Sequence, residues 1–405
     1  MKKINKIFLI IVVIVIIILI FPYSNPEKII TQLFLENGNI QIQYKSNDNN
    51  ADIIVNNKEM FSKILLKGEL GLMESYMDED WDSPDIKKTL FKMLDNEDKL
   101  KNAVERKSIS LFGMKIKNHI ISLFPNNTLT SSKKNIALHY DAGNDLFVKQ
   151  LGKTMMYTCA YFYKPNMSLD QAQIAKMELI AKKLNLQPGM KVAELGCGWG
   201  SMGYFLATKY NVKVIGVTLS KQQVEFANKN FKHPNLTILY KDYRELNGSF
   251  DRVFSIGMFE HVGSKNYKEY FDKCDELLTK NGIMLLHTIG RNEKSGSESR
   301  FFKKYIFPEG ELPFLSDIIS NSYDKWNLED FQNFGISYSK TLHFWRKNIG
   351  NWEKLENYNE HFRRMWDIYL YSCQYFFKKK QNFLWQFVFT KNHNNTPDDL
   401  HFIRN

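Results

Sequence analysis

Val192-Ala193-Glu194-Leu195-Gly196-Cys197-Gly198-Trp199-Gly200 is the stretch on which the fold turns. An apolar run ends in an acidic residue, then passes through glycines at every second position into a helical pattern. The spacing predicts a β-strand, a tight turn and a helix. Glycine has no Cβ, so the backbone can bend sharply there and a ligand can approach it closely. Glu194 at the strand end can accept hydrogen bonds from an amine or a hydroxyl. The dinucleotide fingerprint spaces its glycines G-x-G-x-x-G, and this pattern differs from it. Taken alone, the motif also fits a βα turn that binds nothing.

The flanking sequence extends the pattern on both sides. A helix over 170–185 leads into a strand over 191–194, and a helix over 201–210 into a strand over 212–217. A helix over 221–230 precedes a strand over 236–240; strands over 252–256 and 282–287 bracket a helix over 266–278. Alternation of this kind predicts a parallel sheet with right-handed crossovers. In open sheets of that type ligands sit beyond the carboxyl ends of the strands. Glu194, Thr218, Asp242, Gly257 and His287 all fall at such ends. Their shared placement says more than the glycines do.

A length of 405 residues suits two or three domains. We expect a hydrophobic N-terminal anchor over 1–25, a smaller α+β domain over 26–128 and an α/β domain over 129–395. The smaller domain carries an alternating strand pattern at 39–44 and helical spacing at 60–70 and 86–104. Cys159, Cys197, Cys274 and Cys373 show neither C-x-x-C pairing nor zinc-ligand spacing, so neither a disulfide framework nor a metal is expected. The net charge of +11 favours an anionic partner. No zinc finger, RNA-binding or basic-zipper motif is present, so an anionic membrane surface is expected rather than nucleic acid. A genome rich in Lys, Asn and Ile would raise the charge as well.

The apolar run 7–21 has 15 residues, or roughly 22 Å as a helix against a hydrocarbon core of ~30 Å. Extension to 4–23 brings it close to spanning, and no small-x-small cleavage site follows. Lys2, Lys3 and Lys6 favour a cytoplasmic N-terminus. A spanning helix would then carry the rest of the chain across the membrane. We expect a membrane-associated protein with its α/β domain on the cytoplasmic side, the topology of the first segment staying open.

Several further patches stand in a fixed order. They are His139-Tyr140-Asp141-Ala142-Gly143-Asn144-Asp145, Met156-Tyr157-Thr158-Cys159-Ala160-Tyr161-Phe162, Gly216-Val217-Thr218-Leu219-Ser220, Lys241-Asp242-Tyr243-Arg244, Ser255-Ile256-Gly257-Met258-Phe259-Glu260-His261-Val262-Gly263 and Leu285-Leu286-His287-Thr288-Ile289-Gly290. The glycine motif resembles motif I of class I S-adenosylmethionine methyltransferases. With the six patches, the chain resembles the cyclopropane-fatty-acyl-phospholipid synthases. Gly68-Glu69-Leu70-Gly71-Leu72-Met73-Glu74-Ser75-Tyr76-Met77-Asp78 looks like the N-terminal region of the bacterial phospholipid-acting members. The hydrophobic N-terminus is outside the usual family pattern.

The resemblance implies a Rossmann-like class I methyltransferase sheet that transfers a methylene from S-adenosylmethionine to the double bond of an unsaturated phospholipid acyl chain. It implies a carbocation, a bound bicarbonate as base, and a homodimer contact through the smaller domain. By the same resemblance Cys159 and Ile289 offer backbone amides to the anion, Glu260 accepts its proton, and His287 and Tyr338 donate. Tyr157 and Thr158 touch the cofactor's amino acid tail; Glu194, Gly196, Gly198 and Gly200 line its methionine and ribose side. Thr218 stands where many methyltransferases carry an acid for the ribose. Gln223 is a ribose or adenine-side contact, and Asp242 and Tyr243 bracket the adenine. Some members carry Trp-Glu where Tyr243-Arg244 stands.

Each residue also has a plain reading. Cys159 fits a small buried hydrophobe, His287 a satisfied core histidine, Glu260-His261 a helix cap, and Tyr338 an ordinary strand residue. Phe362, Trp366, Tyr369, Cys373 and Phe376 share one helix face, which fits core packing or the wall of an acyl tunnel. Arg363, Arg364, Lys378, Lys379 and Lys380 fit lipid headgroups or a solvated surface. An acyl methyltransferase with a branched, methylene or hydroxylated product fits the same motifs, as does an inactive homologue.

Overall fold

The computed structural model describes residues 25–44, 51–107, 143–292, 299–308, 310–352 and 355–391. Residues 1–24 of the anchor expected over 1–25, and residues 139–142 of the patch at 139–145, lie outside them. Among the described residues no helix is long and apolar enough to cross a membrane. The chain divides into two compact units. Residues 299–301 and 357–372 group with the N-terminal unit, although they lie within the 129–395 stretch.

In the N-terminal unit, helix α1 (Pro26–Gly38) is capped by the Asn25 side chain and stopped by Asn39 in the left-handed conformation, φ 51°. Strands β1 (Ile42–Tyr44), β2 (Ile53–Val55) and β3 (Trp81–Asp82) form a small sheet, the first pair parallel and the second antiparallel. The spacing at 60–70 becomes two helices, α2 (Glu59–Lys67) and α3 (Glu69–Met77), broken at Gly68 with φ +61°. The 86–104 spacing likewise splits into α4 (Ile86–Asp95) and α5 (Glu97–Lys107) about Asn96. From Leu70 to Met77 every residue of α3 is buried, as befits a core helix apolar nearly all round. The Trp81 indole N–H donates to Leu72 O at 3.2 Å and to Ser75 Oγ at 3.0 Å.

The larger unit holds helices α6 (Asn144–Leu151), α7 (Leu169–Lys183), α8 (Ser201–Tyr210), α9 (Lys221–Asn230), α10 (Tyr267–Leu277), α11 (Leu315–Ser322) and α12 (Ile336–Ile349). Its strands are β4 (Lys191–Leu195), β5 (Lys213–Thr218), β6 (Leu236–Tyr240), β7 (Phe250–Ile256), β8 (Leu278–Gly290), β9 (Trp326–Asn333) and β10 (Phe383–Lys391). They form one sheet ordered β6-β5-β4-β7-β8-β10-β9. The expected parallel sheet holds from β6 to β8. It is corrected at the far side, where β10 lies antiparallel between β8 and β9 and makes the sheet mixed. Side chains alternate across a strand, so Trp385, Phe387 and Phe389 pack on one face and Val388 on the other. Helix α13 (Glu360–Lys378) gives its residues through Ser372 to the first unit and the rest to the second. Its Trp366 and Tyr369 are buried and pack edge to face, the core reading of that aromatic stripe. Arg364 is no surface headgroup contact. It pairs with Asp82 at 2.7 Å, and its guanidinium lies over the Tyr76 ring.

Candidate active site

Strand β4 ends at the glycine turn. Gly196, Gly198 and Gly200 all take positive φ, at 76°, 53° and 82°. The amides of Gly196 and Cys197 both donate to Val217 O, at 3.0 and 2.9 Å, which joins the ends of β4 and β5. A Cβ on Gly196 would lie 2.7 Å from Met258; one on Gly198 would meet nothing within 4 Å. The first glycine admits a neighbouring loop and the second faces open space.

A cavity opens above these strand ends. Of the ten residues expected to hold a cofactor, Tyr157, Thr158, Glu194, Gly196, Gly198, Thr218, Gln223 and Tyr243 line it. Gly200 does not. Its Cβ position faces Ala227 at 3.0 Å, so this glycine allows α9 to pack closely. Asp242 does not line it either. It is 1% exposed, and its carboxylate accepts from Arg244 through N at 2.9 Å, Nε at 2.9 Å and Nη2 at 2.8 Å. In this chain Arg244 holds the carboxylate for which the resemblance implies an adenine contact. Thr218 Oγ1 donates to Gln223 Oε1 at 2.7 Å, which fixes both side chains at the cavity edge. Trp199, Leu219, Lys241, Met258 and His261 also line the cavity and had no cofactor contact expected of them. All five sit inside the ordered patches or the glycine motif, which was the available signal.

Glu194 is buried, and burial pushes its carboxyl up to about 8 against the opposing Gly203 amide and Lys176. Its Oε2 has no hydrogen-bond partner among the described residues. A buried polar oxygen without a partner is costly, so the atom suits a cationic or hydrogen-bonding ligand. Tyr157 is held by rings on several sides, with Phe147 and Trp345 each at 5.1 Å.

The five residues expected to do chemistry do not line this cavity, yet they adjoin it in the chain. Cys159 follows Thr158, and Glu260 sits between Met258 and His261. Glu260 lies in a short 3₁₀ turn rather than at a helix cap. Burial pushes its carboxyl up to about 7, with the Ile289 amide opposing. That amide donates to Glu260 Oε1 at 2.6 Å. The resemblance offered the Ile289 amide to an anion; here it serves the carboxylate instead, because the β8 end runs alongside the turn. Glu260 Oε2 has no partner among the described residues.

His287 is 1% exposed. Burial holds it well below its ordinary value, with Lys176 and Lys183 adding. Its Nδ1 lies 3.1 Å from Gln386 Nε2. With that amide donating, the neutral ring keeps its proton on Nε2, which has no partner among the described residues. Tyr338 stands on helix α12 and not on a strand, because Gly335 opens a helix there. Burial pushes its phenol well up, and Cys159, Tyr157 and Glu260 act in the same direction. The Cys159 thiol is buried, raised by burial, and donates to Ala160 O at 3.2 Å. It is a packed thiol, not a nucleophile. Gln386 was missed, although a glutamine inside the apolar run 383–389 was a visible signal.

These residues offer a neutral imidazole donor, a phenol that feels the charge of Glu260, and a carboxyl that is half protonated near neutral pH. Two buried polar atoms are left for a ligand. Such a set fits a small oxyanion better than a metal ion.

The family model described as mycolic acid cyclopropane synthetase matches residues 127–387. The cyclopropane-fatty-acyl-phospholipid synthase of Escherichia coli (strain K12) is 40% identical over 349 residues, which cover 84% of this chain and 88% of that protein. A probable fatty acid methyltransferase of Pseudomonas putida is 37% identical over 66% of this chain and 72% of its own length. Among solved structures, mycolic acid cyclopropane synthase CmaA1 complexed with SAH and CTAB superposes with a TM-score of 0.60 at 32% identity, covering 64% of this chain and 98% of that one. Coclaurine N-methyltransferase, at 22% identity and a TM-score of 0.63, shares the fold. The chain belongs to the mycolic acid cyclopropane synthetase family of S-adenosylmethionine-dependent methyltransferases.

Proposed function

We propose that this protein is a cyclopropane fatty acid synthase that acts on unsaturated acyl chains of membrane phospholipid. The observation that carries the reading is a pair of buried polar atoms, Glu260 Oε2 and His287 Nε2, left unpartnered among the described residues, with Glu260 in a turn whose neighbours Met258 and His261 line the glycine-turn cavity. Likeness to the Escherichia coli synthase supports the acyl-phospholipid substrate.

An isolated alkene is a weak nucleophile. S-adenosylmethionine, when bound, supplies an electrophilic methyl group on a cationic sulfur. Attack by the alkene on that methyl would break its bond to sulfur, with S-adenosylhomocysteine as the neutral leaving group, and leave a carbocation beside the new methyl; loss of a proton from that methyl to the base would close the ring. The residues at the turn and Thr158 orient the two reactants in line. The apolar wall of Met156, Leu219 and Met258 excludes water that would capture the cation. Bicarbonate, when bound, supplies the base. His287 Nε2 and the Tyr338 hydroxyl would hold it by donation, and Glu260 would hold its hydroxyl and receive a proton.

The same reading makes the protein membrane-associated through residues 1–25, with its catalytic domain on the cytoplasmic side and the N-terminal domain forming a homodimer contact. The test is mass spectrometry of lipids from cells expressing the chain with and without residues 4–23. A gain of one CH₂ on monounsaturated acyl chains, with loss of the alkene, is expected. A methyl branch with retained unsaturation would replace the ring reading, and an unchanged lipid profile would refute the acceptor.

A further inference from the structure

Helix α7 backs the cavity wall and presents two polar side chains that are fully buried, Gln173 and Lys176, each 0% exposed. Gln173 Nε2 donates to Thr158 O at 2.9 Å and to Met156 O at 3.3 Å. Lys176 Nζ donates to Thr158 Oγ1 at 2.7 Å. On its other side the Thr158 methyl occupies the space beside Gly257, where an added Cβ would lie 2.8 Å away. Three contacts therefore immobilise one residue of the cavity lining, and two of them come from α7.

A buried ammonium is expensive unless it is paired. Among the described residues Lys176 forms no salt bridge, and its hydrogen bond goes to a neutral hydroxyl. A methionine of similar volume would be the more stable occupant of a core helix face. The lysine does something else for the hydroxyl. A hydroxyl has one proton to donate and two lone pairs to accept with. The lysine takes a lone pair, so the Thr158 proton must go elsewhere, and no protein acceptor takes it among the described residues. Burial lowers Lys176 to about 7, and in its protonated form the cation on the oxygen also strengthens that proton as a donor. The outcome is a polarised O–H at the cavity wall, matched to a negative charge. Nearby, Glu194 is buried and matched to a positive one.

We propose that Lys176 is a positioning residue that turns the Thr158 hydroxyl into the donor for the carboxylate of the bound cofactor's amino acid tail. This rests on the S-adenosylmethionine reading, since the carboxylate is that molecule's one anionic group. The tail is a zwitterion, so its ammonium favours the ionised form of Glu194, which burial holds up to about 8, and its carboxylate favours the protonated form of Lys176, which burial lowers to about 7.

The test is calorimetric titration of the full chain with two probes. S-adenosylhomocysteine carries the amino acid tail, and 5′-methylthioadenosine lacks it. Lys176→Met should weaken S-adenosylhomocysteine about 10- to 100-fold, the worth of a charge-assisted hydrogen bond, and leave methylthioadenosine within about twofold. Thr158→Val should give the same split, and the double variant should lose little more than either alone. The melting temperature of Lys176→Met should equal or exceed that of the wild type. If Lys176→Met does not fold, the split in Thr158→Val decides. Equal losses for both probes, or an unchanged S-adenosylhomocysteine affinity, would overturn the role of Lys176. A wild-type chain that takes up neither probe would overturn the cofactor reading instead.

Discussion

Glu260→Gln separates the electrostatics of the cluster from its shape. Glutamine keeps the volume and still offers an oxygen to the Ile289 amide, which now donates to Glu260 Oε1 at 2.6 Å. Only the titrating proton is lost. In the folded protein burial raises this carboxyl from 4.5 to about 7, a displacement equivalent to ~3 kcal/mol. The folded state therefore holds the proton more tightly than the unfolded chain does. That contribution is fully present below 4.5 and is lost as pH rises through about 7. Glutamine has no such dependence. Between pH 5 and pH 8 the variant should gain about 2–3 kcal/mol over the wild type. Glu194 and Lys176 titrate as well, but they are common to both proteins and cancel in the difference. Urea unfolding followed by near-ultraviolet circular dichroism at several pH values reads the effect. Turnover should fall by about 10²-fold or more, as for the loss of a proton-transfer group, with S-adenosylhomocysteine binding retained. Stability curves that run parallel from pH 5 to pH 8 would refute the buried, proton-holding carboxyl. Unchanged turnover would refute its place in the chemistry.

The glycines of the turn should respond differently. Gly196→Ala places a methyl 2.7 Å from Met258 at φ +76°, and should destabilise the fold by about 2–4 kcal/mol from overpacking and left-handed strain together. Gly198→Ala meets no atom within 4 Å; thermal unfolding should register only about 1–2 kcal/mol, while S-adenosylhomocysteine titration shows the larger loss because the methyl enters the cavity. Equal effects on stability would contradict this division. Lys183 and Asp330 form a pair at 3.0 Å with side chains 1% and 4% exposed. Lys183→Met strands the aspartate and should lose about 3–5 kcal/mol in denaturant unfolding, and a loss near zero would show that water reaches the site.

Strands β4 to β7 were legible because each is a short apolar run bounded by turn residues and set against a helix of 3.6-residue period. The last two strands were not. Edge strand β9, Trp326-Asn327-Leu328-Glu329-Asp330-Phe331-Gln332-Asn333, is half exposed and carries charges, so it lacks the apolar signature. β10 is apolar enough, but nothing within it states that it runs antiparallel between β8 and β9. Tyr338 illustrates a shorter ambiguity. Phe334 to Tyr338 alternates as a strand would. The helix there is decided by the helical run from Ser339 to Ile349 and by packing of the Tyr338 ring on Phe377 at 4.5 Å.

The same division runs through the site. Strand-end positions and the need for glycine at a positive-φ turn are local properties of backbone and side-chain size, and the chain alone determined them: Glu194, Gly196, Gly198 and Thr218 all line one cavity. Which partner a polar side chain takes is a non-local choice among many. Only the tertiary structure decided that Arg244 captures Asp242, that the Ile289 amide serves Glu260, and that Gln386 orients His287. Only it carried Lys176 into the core, where hydrogen bonds gain strength and unpaired charges become costly.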